Sequence, residues 1–587
     1  MSSLSVNQSI RYEADEPCPI WISLGIGLQG VVFALAPLVV VVAVTARAGG
    51  QSESYLSWAV FAALVIAGSL TALQSSRIWR FGSGHVLIMG ATPNFVAISV
   101  LALVQGGPAL LASLIVVASF FYLSLSQWLP LLRRFITPVV SGTVLMLIAA
   151  AVLPISLDRV HEVPAGAPAA AGPVIAGLSL VAFVGLALRA SGAWRLWSPI
   201  IAVGVGSIVG ALFGVYDFQR ILDAPWFGIT FGGFSGFDLN PGVGFWSLLP
   251  LFVIVTLVGG IKNIGDNVAV QQASRRQARA TDFRRVQGSL NTNWLGILAS
   301  GVAGTPPTTV YSSTSVSLIN LTGVAARRVG FVIGASLVVL ALFPKLPALL
   351  LTIPSPAMGA YLLVATGLLF MEGVRTVIQA GLDLQKVIVV GISFCLGAGL
   401  EQQTIFTDLF GGPWGGVLDN GMLMGALTAI LLTQFLDLTS PHRGGRLRVS
   451  LDLSSLPAIQ QFVVQQASRL GWNEASTQRL QSAAEETLMS LVQGSEAHTS
   501  GEAARLILVA RPGFGLIELE FVAASDEENL EDRLACLSEE TEAMDEGDLS
   551  LRLLRHYATS VNHQKYYGLD IITVRVRGSR PPGGVAP

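Results

Sequence analysis

Apolar runs long enough to cross a bilayer follow one another from about residue 20 to residue 438, parted by short segments holding Arg, Gly or Pro. This feature constrains the chain most. In hydrocarbon a lone segment must satisfy its own backbone N–H and C=O groups, so such runs fold as helices. We count fourteen spans, among them the third at 85–104, the fourth at 109–128, the eighth at 245–273, the tenth at 306–322 and the twelfth at 356–371. Charged residues are only 12% of the chain, against about a quarter in soluble domains. An even count returns both termini to one side. Loops on that side carry Arg77, Arg80, Arg133, Arg134, the Arg275–Arg285 run, Arg327 and Arg328, whereas the opposite loops hold only Arg47, Arg159, Arg220 and Lys345. The bias puts both termini in the cytoplasm of a multi-pass protein of the cytoplasmic membrane.

Charge returns after residue 443, and it divides the chain. Residues 1–19 are a polar cytoplasmic segment, 20–438 the membrane domain, 439–446 a linker with Pro441, Gly444 and Gly445, 447–580 a soluble domain, and 581–587 a disordered tail. The expected fold class is thus an all-α polytopic membrane domain plus a soluble α+β C-terminal domain. A net charge of -2 gives no sign of a nucleic-acid partner, and the Arg275–Arg285 run reads as a face meeting anionic lipid. Cys18, Cys395 and Cys536 are too scattered for a disulfide framework or a metal site, and no cofactor or enzyme motif stands out.

Two spans are interrupted. The third reads His85-Val-Leu-Ile-Met-Gly-Ala-Thr-Pro-Asn-Phe95, and the tenth reads Gly304-Thr-Pro-Pro-Thr-Thr-Val-Tyr-Ser-Ser-Thr-Ser315. Each is third in its set of seven. Paired interruptions point to two inverted seven-span repeats with a substrate site at mid-membrane. The eighth span carries a second oddity, Gly259-Gly-Ile-Lys-Asn-Ile-Gly-Asp-Asn267, with Lys262 and Asp266 on one helix face. Charges at membrane depth cost about 3 kcal/mol each on insertion scales and are kept for function by default. Three readings stand: Lys262 meets an acceptor-rich or anionic substrate, pairs with Asp266, or reaches out to an interface. His85 reads as interfacial, Glu401 and Asp408 as solvated, and Tyr311, Ser312 and Ser313 as lining a cavity or bonding backbone.

Arg133–Pro154, Arg284–Thr305, Leu321–Gly330 and Phe343–Ala360 resemble, in order and spacing, segments of the nucleobase–ascorbate transporter family of uracil and xanthine permeases. The resemblance runs from about Gly25 to Leu436. It implies fourteen spans in two inverted repeats, with a substrate-bearing core, a gate that forms the scaffold and the homodimer contact, elevator-type movement, and proton or sodium as coupling ion. It also implies site positions. Gln29 keeps a family glutamine. Thr92 and Pro93 stand where a Ser-Phe pair presents backbone to the base, Ala91 precedes them as a further expected substrate contact, and Pro93 has no N–H to offer. Lys262 stands where the family has an acceptor glutamate, while Asp266 is in its usual place. Thr314 and Ser315 replace a longer hydrogen-bonding pair. The resemblance favours a nucleobase-like small molecule of the uracil, xanthine or urate class, whereas lysine has donors only, so Lys262 keeps a small organic or inorganic anion open.

In the tail, Leu447–Val492 reads as a strand and two amphipathic helices, followed by strands near Ala504–Ala510, Leu516–Ala523 and Asp570–Arg577. This resembles the ATPase fold of anti-sigma-factor kinases. Ser490 stands at the family's magnesium-binding Asn. Ser525–Asn529 and Gly547–Leu551 stand where glycine-rich nucleotide boxes belong. The expected domain is therefore degenerate, serving dimerisation or a cytoplasmic regulatory partner. A transporter-derived sensor signalling through it is the reading from a different class.

Overall fold

The computed structural model describes residues 10–135, 137–164, 166–191, 193–216, 219–228, 234, 236–238, 242–276, 281–379, 381, 384–401, 403, 405–410, 418–439, 445–495, 505–513, 516–523, 553–566 and 569–579. The chain makes two compact units, one from residues 7–276 and 286–435, the other chiefly from residue 436 onward.

The first unit is helical: α1 (Ile20–Ala48), α2 (Glu53–Ser75), α3 (Val96–Phe135), α4 (Pro138–His161), α5 (Ala171–Arg189), α6 (Ala193–Leu212), α7 (Gln219–Asp223), α8 (Val243–Ala273), α9 (Phe283–Ala303), α10 (Ser312–Thr322), α11 (Arg327–Ala341), α12 (Lys345–Leu351), α13 (Ser355–Gln379), α14 (Leu384–Leu400), α15 (Ile405–Phe410) and α16 (Gly421–Thr439). Among the described residues seven spans, falling in α1 to α5, α8 and α13, are long and apolar enough to cross a membrane, and three shorter apolar helices lie at 197–212, 384–400 and 421–436. Starts follow local chemistry. Ser52 accepts the Tyr55 N–H at the head of α2, and Thr137 caps α4 ahead of Pro138, whose missing N–H costs nothing there. The second half of the third expected span and the fourth lie in one helical run, α3, with Gly107 between them at φ +68°.

Two helical groups are apparent in the packing. In one, α1, α2 and α11 lie together and α3 packs on α8, which packs on α10; in the other, α4 packs on α13 and α14, and α5 packs on α6 and α13. Close approach is bought by glycine: a Cβ on Gly68 would lie 2.6 Å from the Gly334 carbonyl between α2 and α11, and one on Gly142 would lie 2.6 Å from the Gly373 carbonyl between α4 and α13.

Residues 10–18 form a strap over the ends of α2, α8 and α10. Arg11 and Tyr12 donate backbone N–H to the Gly323 carbonyl, and Arg327 donates to Ala14. Arg276 grips Glu16 through both guanidinium nitrogens, at 2.7 and 2.5 Å, and Asp15 meets Arg77 and Arg327 at 2.7 and 3.2 Å. These contacts hold the Glu16 carboxyl below the ordinary glutamate range.

The second unit has a five-stranded antiparallel sheet in the order β3 (Arg446–Ser450), β4 (Arg505–Gly513), β5 (Leu516–Ala523), β7 (Leu569–Arg577), β6 (Ser560–Tyr566). Alternation places Ile517, Leu519, Phe521 and Ala523 of β5 on the buried face, against α17 (Leu456–Arg469) and α18 (Glu474–Ser495). Glu518 and Glu520 face the other way and meet Arg575 and Arg511 at 2.8 and 2.6 Å across the strands. The α+β layout matches the expectation, with β6 as an added strand. Ser490 is buried and bonds the Glu486 carbonyl of its own helix. The two segments expected to replace nucleotide boxes, most of the linker and the residue 581–587 tail lie outside the described residues.

Candidate functional site

The two interrupted spans cross. Met89–Ala91 forms β1 and Thr308–Val310 forms β2, paired antiparallel with Gly90 opposite Thr309. The cause lies in the sequence: Pro93, Pro306 and Pro307 cannot continue a helix. Extended backbone at membrane depth persists only if protein satisfies it, and here it does. Met89 N–H donates to the Thr71 hydroxyl, Ile88 N–H to Ser315, Thr308 N–H to Ser300 and Tyr311 N–H to the Ile88 carbonyl, all within 3.1 Å. The Tyr311 hydroxyl donates to the Ala91 carbonyl, and Thr309 meets Thr92 at 3.1 Å. Gly90 is required because a Cβ there would sit 2.5 Å from the Tyr311 ring.

Each strand runs into a helix start. Beyond β1, Thr92 precedes a 3-10 turn, Pro93–Phe95, that leads into α3. Beyond β2, Tyr311 caps α10, whose first-turn N–H groups at Ser312, Ser313 and Thr314 have no partner within the helix. The two N-termini bring partial positive charge to the crossing.

Helix α8 passes beside this crossing. Lys262 Nζ lies 3.5 Å from Asp266 Oδ2 and 3.4 Å from Oε1 of Glu372 on α13. Ser312, in the first turn of α10, donates to Asp266 Oδ1 at 2.7 Å. One ammonium therefore faces two carboxylates, and Asp266 is tied to both the lysine and a half-helix. The i,i+4 pair, one of the three readings from sequence, is present, and the Lys262 side chain is 20% exposed.

The remaining expected residues fall in different places. Ala91 and Thr92 are buried at the crossing and Pro93 is half-buried beside them. Gln29 is half-buried on the α1 turn where Gly30 leaves room for Leu318 of α10. Thr314 is half-buried in the first turn of α10. Ser315 is fully buried and spans the crossing, accepting from Ile88 N–H and donating to the Tyr311 carbonyl at 2.8 Å, so its role is to hold backbone. His85 is buried, while Glu401 and Asp408 are exposed.

Sequence reasoning missed two features. Glu372 is one. Its signal was an acidic residue one position past the expected end of the twelfth span, in a helix whose apolar face continues to Val377. The other is a buried polar hub: the Tyr122 hydroxyl accepts from Asn263 at 3.3 Å and Asn293 at 2.9 Å, and Asn267 donates to the Asn263 carbonyl at 2.6 Å. It ties α3, α8 and α9 together behind the charged cluster.

The sequence agrees with this geometry. A family model described as "Permease family", that of the xanthine and uracil permeases, matches residues 22–406. The chain is 29% identical to the xanthine permease XanP of Escherichia coli K12 over 407 residues, covering 65% of this chain and 84% of that one. It is 28% identical to the nucleobase transporter PlUacP of Paenibacillus larvae over 424 residues, covering 70% and 93%. Among solved structures, it aligns with the transmembrane domain of a cyanobacterium bicarbonate transporter, BicA, at TM-score 0.43 and 17% identity, covering 70% and 97%. With the family model spanning the crossed strands and the cluster beside them, the chain belongs to the nucleobase–ascorbate family of permeases.

Proposed function

We propose that this permease is a secondary transporter of a nucleobase-like solute, of the uracil, xanthine or urate class, across the cytoplasmic membrane. The observation that carries the reading is the crossing of β1 and β2 with the Lys262–Asp266–Glu372 cluster against it. A flat heterocycle presents both N–H donors and C=O acceptors. The crossing supplies both kinds of partner: helix-start N–H groups for the carbonyls, carboxylates for the N–H groups.

Lys262 gives little support to an anion carrier, because its charge is already answered by two carboxylates. Alternating access of the elevator type fits the division into two helical groups, with β1, β2, α8 and α10 as the moving core and α4, α5, α6, α13 and α14 as the scaffold and homodimer face. The paired broken spans support inverted repeats, and the arginine-rich loops support cytoplasmic termini. A proton or sodium ion is the expected coupling ion. We assign the C-terminal domain a regulatory role toward a cytoplasmic partner.

Uptake of labelled uracil, xanthine and urate into proteoliposomes tests this, with bicarbonate and small carboxylates alongside. Saturable uptake of one base supports the proposal; saturable anion uptake with no base uptake would sink it.

A further inference from the structure

Resting on the nucleobase reading above, we infer that Glu372 is the specificity-determining carboxylate of this carrier, accepting the ring N–H groups of a neutral heterocycle while Lys262 holds it in place. The argument starts from elimination. Lys262 stands where the resemblance places an acceptor glutamate, and an ammonium accepts nothing. Asp266 cannot replace it: Oδ1 takes the Ser312 hydroxyl, Oδ2 faces Lys262, and the side chain is only 10% exposed. Glu372 is 40% exposed, its Oε1 is 3.4 Å from Lys262, and its second oxygen has no hydrogen-bond partner among the described residues.

Position supports the same assignment. Glu372 projects from α13, in the second helical group, and reaches Lys262 on α8 in the first. The same helix packs on the 3-10 turn Pro93–Phe95. A solute lying between the groups at the crossing is therefore within reach of Glu372 on one side and of the helix-start N–H groups on the other. Alternating acceptor and donor surfaces fit the edge of an amide- or imide-containing ring. A carboxylate thus stands on the facing helix, 3.4 Å from the lysine that occupies the position where the resemblance places one.

The test uses the full chain in detergent, with xanthine and xanthines methylated at single ring nitrogens as probes. In the wild type, at least one N-methyl derivative should bind about tenfold weaker than xanthine, as expected when a buried acceptor loses its donor. Glu372→Leu, which leaves no acceptor, should weaken xanthine about tenfold and shrink that methyl penalty to within about twofold. A merely structural role would lower the melting temperature without touching the methyl penalty. An unchanged penalty, or xanthine affinity within about twofold of wild type, overturns the inference. If Glu372→Leu does not fold, the swap Lys262→Glu with Glu372→Lys keeps the ion pair and puts the carboxylate on α8. Binding of xanthine by the swap supports the inference; a folded swap that binds none refutes it. A wild type that binds no base at all defeats the nucleobase reading itself, a result distinct from a wild type that binds while Glu372→Leu is unaffected.

Discussion

Lys262→Met offers the sharpest test of the charged cluster, because the methionine keeps the volume and removes the charge. Lys262 Nζ is 3.5 Å from Asp266 and 3.4 Å from Glu372. At an effective dielectric near 20, each unit-charge pair at that distance is worth roughly 5 kcal/mol before desolvation. Desolvation returns most of that gain. The Glu372 pair is partly exposed and is discounted to about 1 kcal/mol or less. The Asp266 pair is not, and removing one partner of a buried pair costs about 3–5 kcal/mol, since the other is stranded. Lys262→Met should thus lower unfolding stability by about 3 kcal/mol. Asp266→Asn keeps an acceptor for Ser312, so the double variant should be more stable than Lys262→Met alone. Denaturant unfolding of the detergent-solubilised chain, followed by tryptophan fluorescence, measures the cycle. Strictly additive effects, or a Lys262→Met variant within about 0.5 kcal/mol of wild type, would refute the buried pair and return Lys262 to an aqueous interface.

Tyr122→Phe removes the acceptor shared by Asn263 and Asn293 and should cost about 2–6 kcal/mol by the same unfolding assay, at 1–3 for each buried donor left unmet. Gly90→Val should abolish transport, because its side chain meets the Tyr311 ring; uptake at the wild-type rate would show that the crossing is not packed this way. The strap should loosen in acid. Arg276 lowers the Glu16 pKa in the folded chain, so the latch contributes fully above the ordinary value of 4.5 and is lost as pH falls through the lowered one. Hydrogen exchange at Arg11 and Tyr12 should speed up below that value in the wild type, and Glu16→Gln should be fast at every pH.

The crossing was legible because proline and glycine leave few options. Thr92-Pro93 and Pro306-Pro307 break helices wherever they occur, and matched breaks in two halves locate a shared site. The partners of the crossing were not legible. Thr71, Ser300 and Ser315 satisfy the strand N–H groups from other helices, and no local pattern separates such serines from the many that bond their own helix. Tyr122, Asn263 and Asn293 are distant in sequence, and only the fold brings them together. Glu372 escaped for a different reason. Hydropathy ends a span at its first charge, so reading the twelfth span as finished at residue 371 assigned the carboxylate to a loop, although α13 continues to Gln379. The lysine was visible and its second counter-ion was not. For that reason Lys262 looked available to a substrate anion.

Counting charge over the complete cluster reverses that impression. With Lys262, Asp266 and Glu372 ionised, the site carries one net negative charge. The positive ends of α10 and of the α3 half-helix offset part of it, but those dipoles amount to about half a charge each and face the crossing rather than the outer side of Glu372. An anion approaching from α13 meets a carboxylate first. A neutral heterocycle meets the same carboxylate without repulsion, and can donate to Glu372 while accepting from the helix starts. A net negative charge on these three groups would favour a cation, the electrostatic condition under which the proposed coupling to a proton or sodium ion works. Lys262→Glu would place three carboxylates within the cluster and deepen that field. Transport in this variant should become more dependent on proton or sodium concentration. Uptake measured at fixed substrate over a range of each ion checks it, and identical ion dependence in variant and wild type would exclude the cluster from coupling.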